Sequence, residues 1–475
     1  MHRSLALCTL TLALTGPSLV SQAPMEDVLW VASRGSKTMT KYSRFGEVLQ
    51  TVNLTNTPRR VHRAPDGKLW VIEYISTTFS IHDRNGKLIK SVTAKNSGRP
   101  YGLAFDKRGY AYMTHTTSNT VDEYKPDGTY VRSATVPANP LGIAIDYSAG
   151  ANMGNIWIAH RNSPGQVTKL PISTYKPQTF NLPSTATMMP TAVVCTYEGV
   201  AKDSNVFIGG DSSEKLWKID QNGNFTGPIT TVAGYSYCSG MAIDRLNRLW
   251  TVGRPGAVAI IDTATNKVIK TFAGAPANND CGGVVMDSIG RAWIMDRGFS
   301  TPGTFQRYDD QGTMELGTPA GTNTYGMVDA AGFAYAFVVN PFGDEDKDGT
   351  VNFVEITAGT SPYDPLSNPT LSFDTRGVSR VGTTPYLDAV SQAKGSMVVF
   401  FSVATGGPLT LPGFQGQFLL DLKTIFYTVA MTSPGKLNLP IPANNALAGI
   451  SYQMQGLFIG GVIQWTNTSG IYISK

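Results

Sequence analysis

Pro100-Tyr-Gly-Leu-Ala-Phe-Asp-Lys-Arg-Gly-Tyr-Ala-Tyr-Met-Thr-His115 is the stretch on which the fold turns. A short apolar strand ends at Asp106, Lys107-Arg108-Gly109 turns, and a second strand is predicted from Tyr110 to Thr114. A third, Val121 to Tyr124, leads into Pro126-Asp127-Gly128, and a fourth covers Thr129 to Ala134. Gly or Asp-Gly at the turns between short apolar runs is the mark of antiparallel hairpins. The same unit returns at Leu141-Gly-Ile-Ala-Ile-Asp146 with Ile156-Trp-Ile-Ala-His160, and at Gly240-Met-Ala-Ile-Asp244 with Leu249-Trp-Thr-Val-Gly253. It appears again at Gly283-Val-Val-Met-Asp287 with Ala292-Trp-Ile-Met-Asp296. Repetition at this period means a solenoid, a propeller or an array. Four antiparallel strands per repeat predict an all-β chain built on a β-propeller.

The first unit is incomplete, because Val28 to Ala32 already reads as a second strand. Its missing innermost strand is expected from the far end, where Tyr325-Gly-Met-Val-Asp329 resembles the start of the unit. Closing the ring this way removes exposed sheet edges. Six complete units lie between, at 57–94, 98–136, 139–183, 188–232, 236–274 and 280–319, so seven blades are predicted over 26–340. A further second-strand look-alike, Phe333 to Val338, leaves six or eight open.

These repeats resemble the NHL family, whose unit reads roughly Gly-x-Ala-x-Asp, a turn, Gly, and a strand containing Tyr or Trp. They also resemble the streptogramin-lyase-like propellers, most visibly at Pro65-Asp-Gly-Lys-Leu-Trp-Val-Ile-Glu73. The resemblance implies the propeller fold and points to no single activity.

Composition agrees with a turn-rich β protein: of 475 residues 41% are hydrophobic and 15% charged, with 49 Gly and 28 Pro. A net charge of +5 and the lack of any nucleic-acid-binding motif argue against a nucleic-acid partner. Residues 1–23 read as a secretory signal peptide, a short basic start and an apolar run broken at Pro17, with Ser21-Gln22-Ala23 offering small residues for cleavage. The run is too short for a membrane span. A secreted, periplasmic or cell-surface location is therefore expected.

Propeller topology places the ends of the second strands on one rim: Ser33, Glu73, His115, His160, Gly210, Gly253 and Asp296. One residue further come Arg34, Tyr74, Thr116, Arg161, Asp211, Arg254 and Arg297. Such a rim suits an anionic ligand or a metal; the plainer alternative is a solvated rim with loop-capping carboxylates. The unit 57–94 departs from the pattern, with Arg60-Val-His-Arg-Ala64 placing Arg59, Arg60 and His62 at or near the central channel. There a water-filled channel with local salt bridges is the plainer alternative. His82, in a third strand, is expected at the surface. Gly-x-Ser-x-Gly, His-Glu-x-x-His and phosphate-cradling loops are all missing from the sequence.

Beyond the leader, which holds Cys8, the cysteines are Cys195, Cys238 and Cys281. Cys238 and Cys281 occupy the same place in consecutive units, where adjacent inner strands approach the upper end of disulfide spacing. They stand as a candidate disulfide or as two buried thiols.

The sharpest motif follows the repeats: Asp344-Glu-Asp-Lys-Asp-Gly-Thr-Val-Asn-Phe-Val-Glu355. Asp344, Asp346 and Asp348 hold positions 1, 3 and 5, Gly349 position 6 and Glu355 position 12. Thr350 would give its backbone carbonyl, which is the spacing of a Ca²⁺ loop. An acidic solvated loop is the alternative. With Asn340-Pro341 before it and the Pro-rich run to Pro369 after it, the segment 341–369 resembles thrombospondin type 3 or dockerin-like calcium linkers. From 370 to 475, alternating or apolar runs between Gly and Pro turns predict a β-sandwich. Leu437-Asn-Leu-Pro-Ile-Pro-Ala443 and Leu447 to Gly456 resemble a C-terminal β-domain of bacterial exported proteins.

Two functions follow. One is an exported binding or scaffold protein recognising an extracellular protein, glycan or small anionic ligand. The other is a metal-dependent lyase or lactone hydrolase, with Glu73 as a metal ligand and His115 or His160 as base. Binding is the preferred expectation, because the units 98–136 and 139–183 open with Pro-Tyr-Gly and Pro-Leu-Gly where streptogramin-lyase-like propellers carry histidines.

Overall fold

A computed structural model describes residues 28–319, 330–332 and 371–473, apart from short internal stretches. The regular secondary structure of the described residues is almost wholly β-strand, and every strand pairing is antiparallel. Among the described residues between 28 and 332, the strands group into seven four-stranded units. The first joins the strands Val28–Ser33, Thr38–Ser43 and Val48–Asn53 to Ala330–Gly332. The other units start at Pro58, Pro100, Pro140, Met189, Tyr237 and Cys281.

The first unit is completed from far along the chain: Leu29, Trp30 and Val31 pair with Gly332, Ala331 and Ala330. The closing strand thus directly follows 325–329, the segment expected from the sequence, which lies outside the described residues, as does 333–338. Side chains complete the ring. Leu29, Val31 and Tyr42 of the first unit share a core with Val285, Trp293, Met295 and Phe305 of the seventh.

The repeat's signature residues have physical jobs. The second-strand tryptophans Trp30, Trp70, Trp157, Trp250 and Trp293 are fully buried, and each core cluster spans two units. Each large indole therefore fills the space between two twisted sheets, where burial is most stabilising. The Asp closing the inner strand locks the following turn. Asp244 accepts from the backbone N–H of Arg248 at 2.9 Å and from Trp250 Nε1 at 2.9 Å. The conserved-in-repeat glycine is needed where inner strands crowd the axis. A Cβ on Gly102 would lie 2.3 Å from the Leu141 carbonyl oxygen, and one on Gly142 2.7 Å from that of Thr191.

From the second unit to the seventh, the inner strand enters through a register shift, as between Pro58 and Arg60, Pro100 and Leu103, and Cys238 and Gly240. Such bulges re-aim side chains and leave polar groups to be paired elsewhere. Here they stitch neighbours together. Thr114 donates to the Leu141 carbonyl at 2.9 Å, and Thr191 to the Cys238 carbonyl at 3.0 Å.

One open alternative is decided and one expectation is corrected. Cys238 and Cys281 are buried thiols and not a disulfide, and Cys195 is a buried thiol as well. Cys238 packs with Tyr235 and Ala257 beside Gly209 of the fifth unit, whereas Cys281 lies against Val258 and Gly274 of the sixth. Equivalent positions on a ring point the same way round it, each into the preceding gap, so the two sulfurs do not face each other. His82 is buried, not at the surface, with its ring nitrogens paired to Ser80 Oγ at 2.9 Å and the Gly86 carbonyl at 3.0 Å.

Residues 371–473 form two main antiparallel sheets. One holds Leu371–Arg376, Tyr386–Ser391 and Gly435–Asn438; the other holds Gly395–Ser402, Ile425–Ser433, Ser451–Ile459 and Ile463–Tyr472. Leu387 and Ala389 of the first share one core with Met397, Val399, Met454 and Phe458 of the second. Among the described residues, no helix is long and apolar enough to cross a membrane.

Candidate ligand-binding mouth

Of the second-strand ends expected on the rim, Glu73, His115 and His160 are instead turned inward. His160 is fully buried; its Nδ1 pairs with the Pro137 carbonyl at 3.0 Å and its Nε2 with Thr168 Oγ1 at 2.8 Å. Burial pushes its pKa down to about 4, against the pull of backbone hydrogen bonds to Pro137 and Ala138. His115 is likewise buried, with Nδ1 3.3 Å from the Gly98 carbonyl and Nε2 3.3 Å from Asp122 Oδ2. Burial lowers its pKa as well, with Asp122 opposing. Glu73 accepts from Asn56 Nδ2 at 2.8 Å, and from Thr78 and Ser76.

The pattern is shared. Asn56, Gly98 and Pro137 all lie just before an inner strand, so these three side chains clip the connection that enters each unit. Each functional group is thereby engaged within its own unit. Among the described residues, no three His, Cys, Asp or Glu side chains are grouped to hold a metal. Asp296 is buried, opposite Cys281 in the ladder. Arg297 lies outside the described residues. So do Asp344, Asp346, Asp348, Thr350 and Glu355, and the signal segment 1–23.

One position further along, side chains converge across units. The Arg34 guanidinium stacks 3.5 Å from the centre of the Tyr74 ring. Arg59 lies 5.6 Å from the same ring and 3.7 Å from that of Tyr101, which Arg60 also approaches at 4.9 Å. Guanidinium over an aromatic face is favourable through the ring quadrupole, the more so when partly desolvated. The alternation Arg34, Tyr74, Arg59, Tyr101, Arg60 thus runs from the first unit to the third.

The bulge explains how two successive arginines join one stack. Pro58 pairs with Glu73 and Arg60 with Ile72, so Arg59 is the extra residue, outside strict alternation. His62 keeps to the face of Arg60, two residues on, and both are half-buried.

The stack continues around the mouth as an ion-paired arc. Arg161 forms a salt bridge with Asp211 at 2.5 Å, and that hydrogen bond raises the pKa of Arg161, with Tyr237 and Tyr101 adding to it. Arg254 lies 5.3 Å from the centre of the Tyr237 ring. The pairing of Asp211 with Tyr237 joins the fifth and sixth units into one eight-stranded sheet and holds this arc in place. Sequence reasoning missed Tyr101 and Tyr237. Their signal was the large aromatic at the bulged entry of an inner strand.

Solved structures with the same architecture follow from this geometry. A catalytically inactive virginiamycin B lyase from Staphylococcus aureus, crystallised with quinupristin, is 17% identical. The match covers 58% of this chain and 89% of that one, with a TM-score of 0.50. A functionally unknown protein from Desulfotomaculum acetoxidans is 13% identical over 65% of this chain and 99% of its own, with a TM-score of 0.51. The fold is a β-propeller. No protein-family model matches the sequence, and no curated protein sequence does either. At these identities the propeller likeness extends to architecture and not to chemistry.

Proposed function

We propose that the chain is an exported propeller that binds an extracellular ligand across the mouth of its central channel. The observation behind this reading is the stack of Arg34, Tyr74, Arg59, Tyr101 and Arg60, drawn from three units onto one rim. Rigid aromatic and arginine side chains on a fixed scaffold are the usual anchors of recognition. A protein, a glycan or a small anion is the partner class. The lyase or hydrolase alternative needs Glu73 and His115 or His160 to meet a substrate, and each is engaged in hydrogen bonds inside its own unit.

Thermal-shift screening of peptides, glycans and small organic acids tests the reading. A ligand that stabilises the wild type should lose most of its effect in Tyr101→Ala and keep it in Leu88→Ser, a substitution on an exposed outer strand. Ligands indifferent to Tyr101→Ala and Arg34→Ala would remove the mouth from consideration.

The segment 341–369 is proposed to hold one Ca²⁺ through Asp344, Asp346, Asp348, Thr350 and Glu355, as a structural link to the β-rich region from 370 onward. The ion needs six to eight oxygens, so losing one carboxylate weakens binding strongly. Calorimetric titration of chelator-treated protein should show one site that disappears in Asp346→Ala. Unchanged uptake by that variant would rule out the assignment.

A further inference from the structure

We infer that the arc from Arg34 to Tyr101 is an oxyanion subsite, taking a carboxylate or phosphate group with Arg59 as its central contact. The inference rests on the mouth being the binding face and names the chemistry that it recognises.

Three observations support it. First, Arg59 Nε is buried and has no hydrogen-bond partner among the described residues. A buried donor left unpaired is costly, and an anionic acceptor removes that cost. Second, among the described residues the groups that weigh most on the charge of Arg59 are Tyr101, which also takes a side-chain hydrogen bond from it, Arg60 and Tyr74, none of them a carboxylate. Burial, and then Arg60 against the favourable Tyr101, leave its pKa lowered. Third, the two arcs of the mouth differ. Arg161 has Asp211 as its counter-ion at 2.5 Å, whereas Arg59 is held between the faces of two tyrosines. Stacking fixes the plane of a guanidinium and leaves its edge to donate, which matches the paired oxygens of carboxylate or phosphate. The bulge at Arg59 is what brings a second guanidinium, Arg60, to the same Tyr101 ring.

Isothermal titration distinguishes the sources of the anion and tests the site. The full chain is titrated at constant ionic strength with inorganic phosphate, with trigalacturonate and with its neutral methyl ester, each to about 10 mM. The expected result is binding of phosphate, trigalacturonate or both, no binding of the ester, and affinity at least about tenfold weaker in Arg59→Gln. Phosphate alone would point to a phosphorylated ligand, trigalacturonate alone to a uronate-bearing one, and either supports the subsite. Binding of the ester lost in Tyr101→Ala would keep the mouth as a binding face and overturn the anion subsite. Failure of both anions to bind, or equal binding by Arg59→Gln, also overturns it. Arg34→Gln, which leaves the inner strand untouched, serves as the second variant if Arg59→Gln unfolds.

Discussion

His160 shows how a residue of catalytic type is put to structural use. Its folded pKa of about 4 lies below the ordinary 6.5, because burial disfavours the imidazolium. Between those values the unfolded chain binds a proton that the folded chain refuses, so stability falls as the pH drops from 6.5 to 4. The loss from this residue is on the order of 3 kcal/mol. His160→Gln should be less stable at pH 7 and show a flatter decline on acidification, as measured by urea unfolding at several pH values. An unchanged slope would mean that burial does not hold the His160 pKa down, and unchanged stability at pH 7 would mean that the clip to Pro137 contributes nothing. Gly142 carries a second residue-scale expectation. A methyl group there meets the Thr191 carbonyl at 2.7 Å and Ala192 Cα at 2.9 Å, both backbone atoms that cannot swing away. Gly142→Ala should cost about 1–3 kcal/mol, read as a shift in the denaturation midpoint.

At the scale of the element, the bulged entry of the inner strand organises both stability and recognition. The same irregularity that lets Thr191 bond to the Cys238 carbonyl puts Arg59 beside Tyr101. Periodicity made the four-stranded unit legible, because apolar alternation and Asp-Gly turns are local properties. Asp220 illustrates the turns: its Oδ1 accepts from the backbone N–H groups of Asn222 and Asn224 at 2.8 Å, with Gly223 in the left-handed region. The bulge was not legible. It breaks the two-residue period at one position, and strict alternation assigns Arg59 to the opposite face from Arg60.

For the whole molecule, the described residues that close the ring through the backbone are Ala330–Gly332. Ala331→Pro removes a backbone N–H from Ala330–Gly332, an end strand of its sheet whose single ladder partner is Val28–Ser33, and fixes φ at the position opposite Trp30. Limited proteolysis should then cut the first unit, residues 28–53, much faster than in the wild type. Equal protection would show that the core shared by the first and seventh units closes the ring without that strand.

Read alone, the chain dictates its class. The repeat, its turns, its buried tryptophans and its axial glycines follow from local patterns of size, polarity and backbone freedom. It also names the arginines of the mouth: topology puts Arg34, Arg161 and Arg254 just past the second-strand ends, and Arg59 and Arg60 stand out in the inner strand of the unit 57–94. Direction was decided only in three dimensions. Glu73, His115 and His160 turn inward because the connection before each inner strand offers hydrogen-bond partners that no short motif predicts. Cys238 and Cys281 stay apart because rotation around the ring carries equivalent side chains in the same sense. Tyr101 joins Arg59 and Arg60 because neighbouring units come into contact there, as do Asp211 and Tyr237, whereas Tyr237 meets Arg254 as its ladder partner within one unit. Such contacts link residues distant in sequence, so they appear only when the sheets are packed.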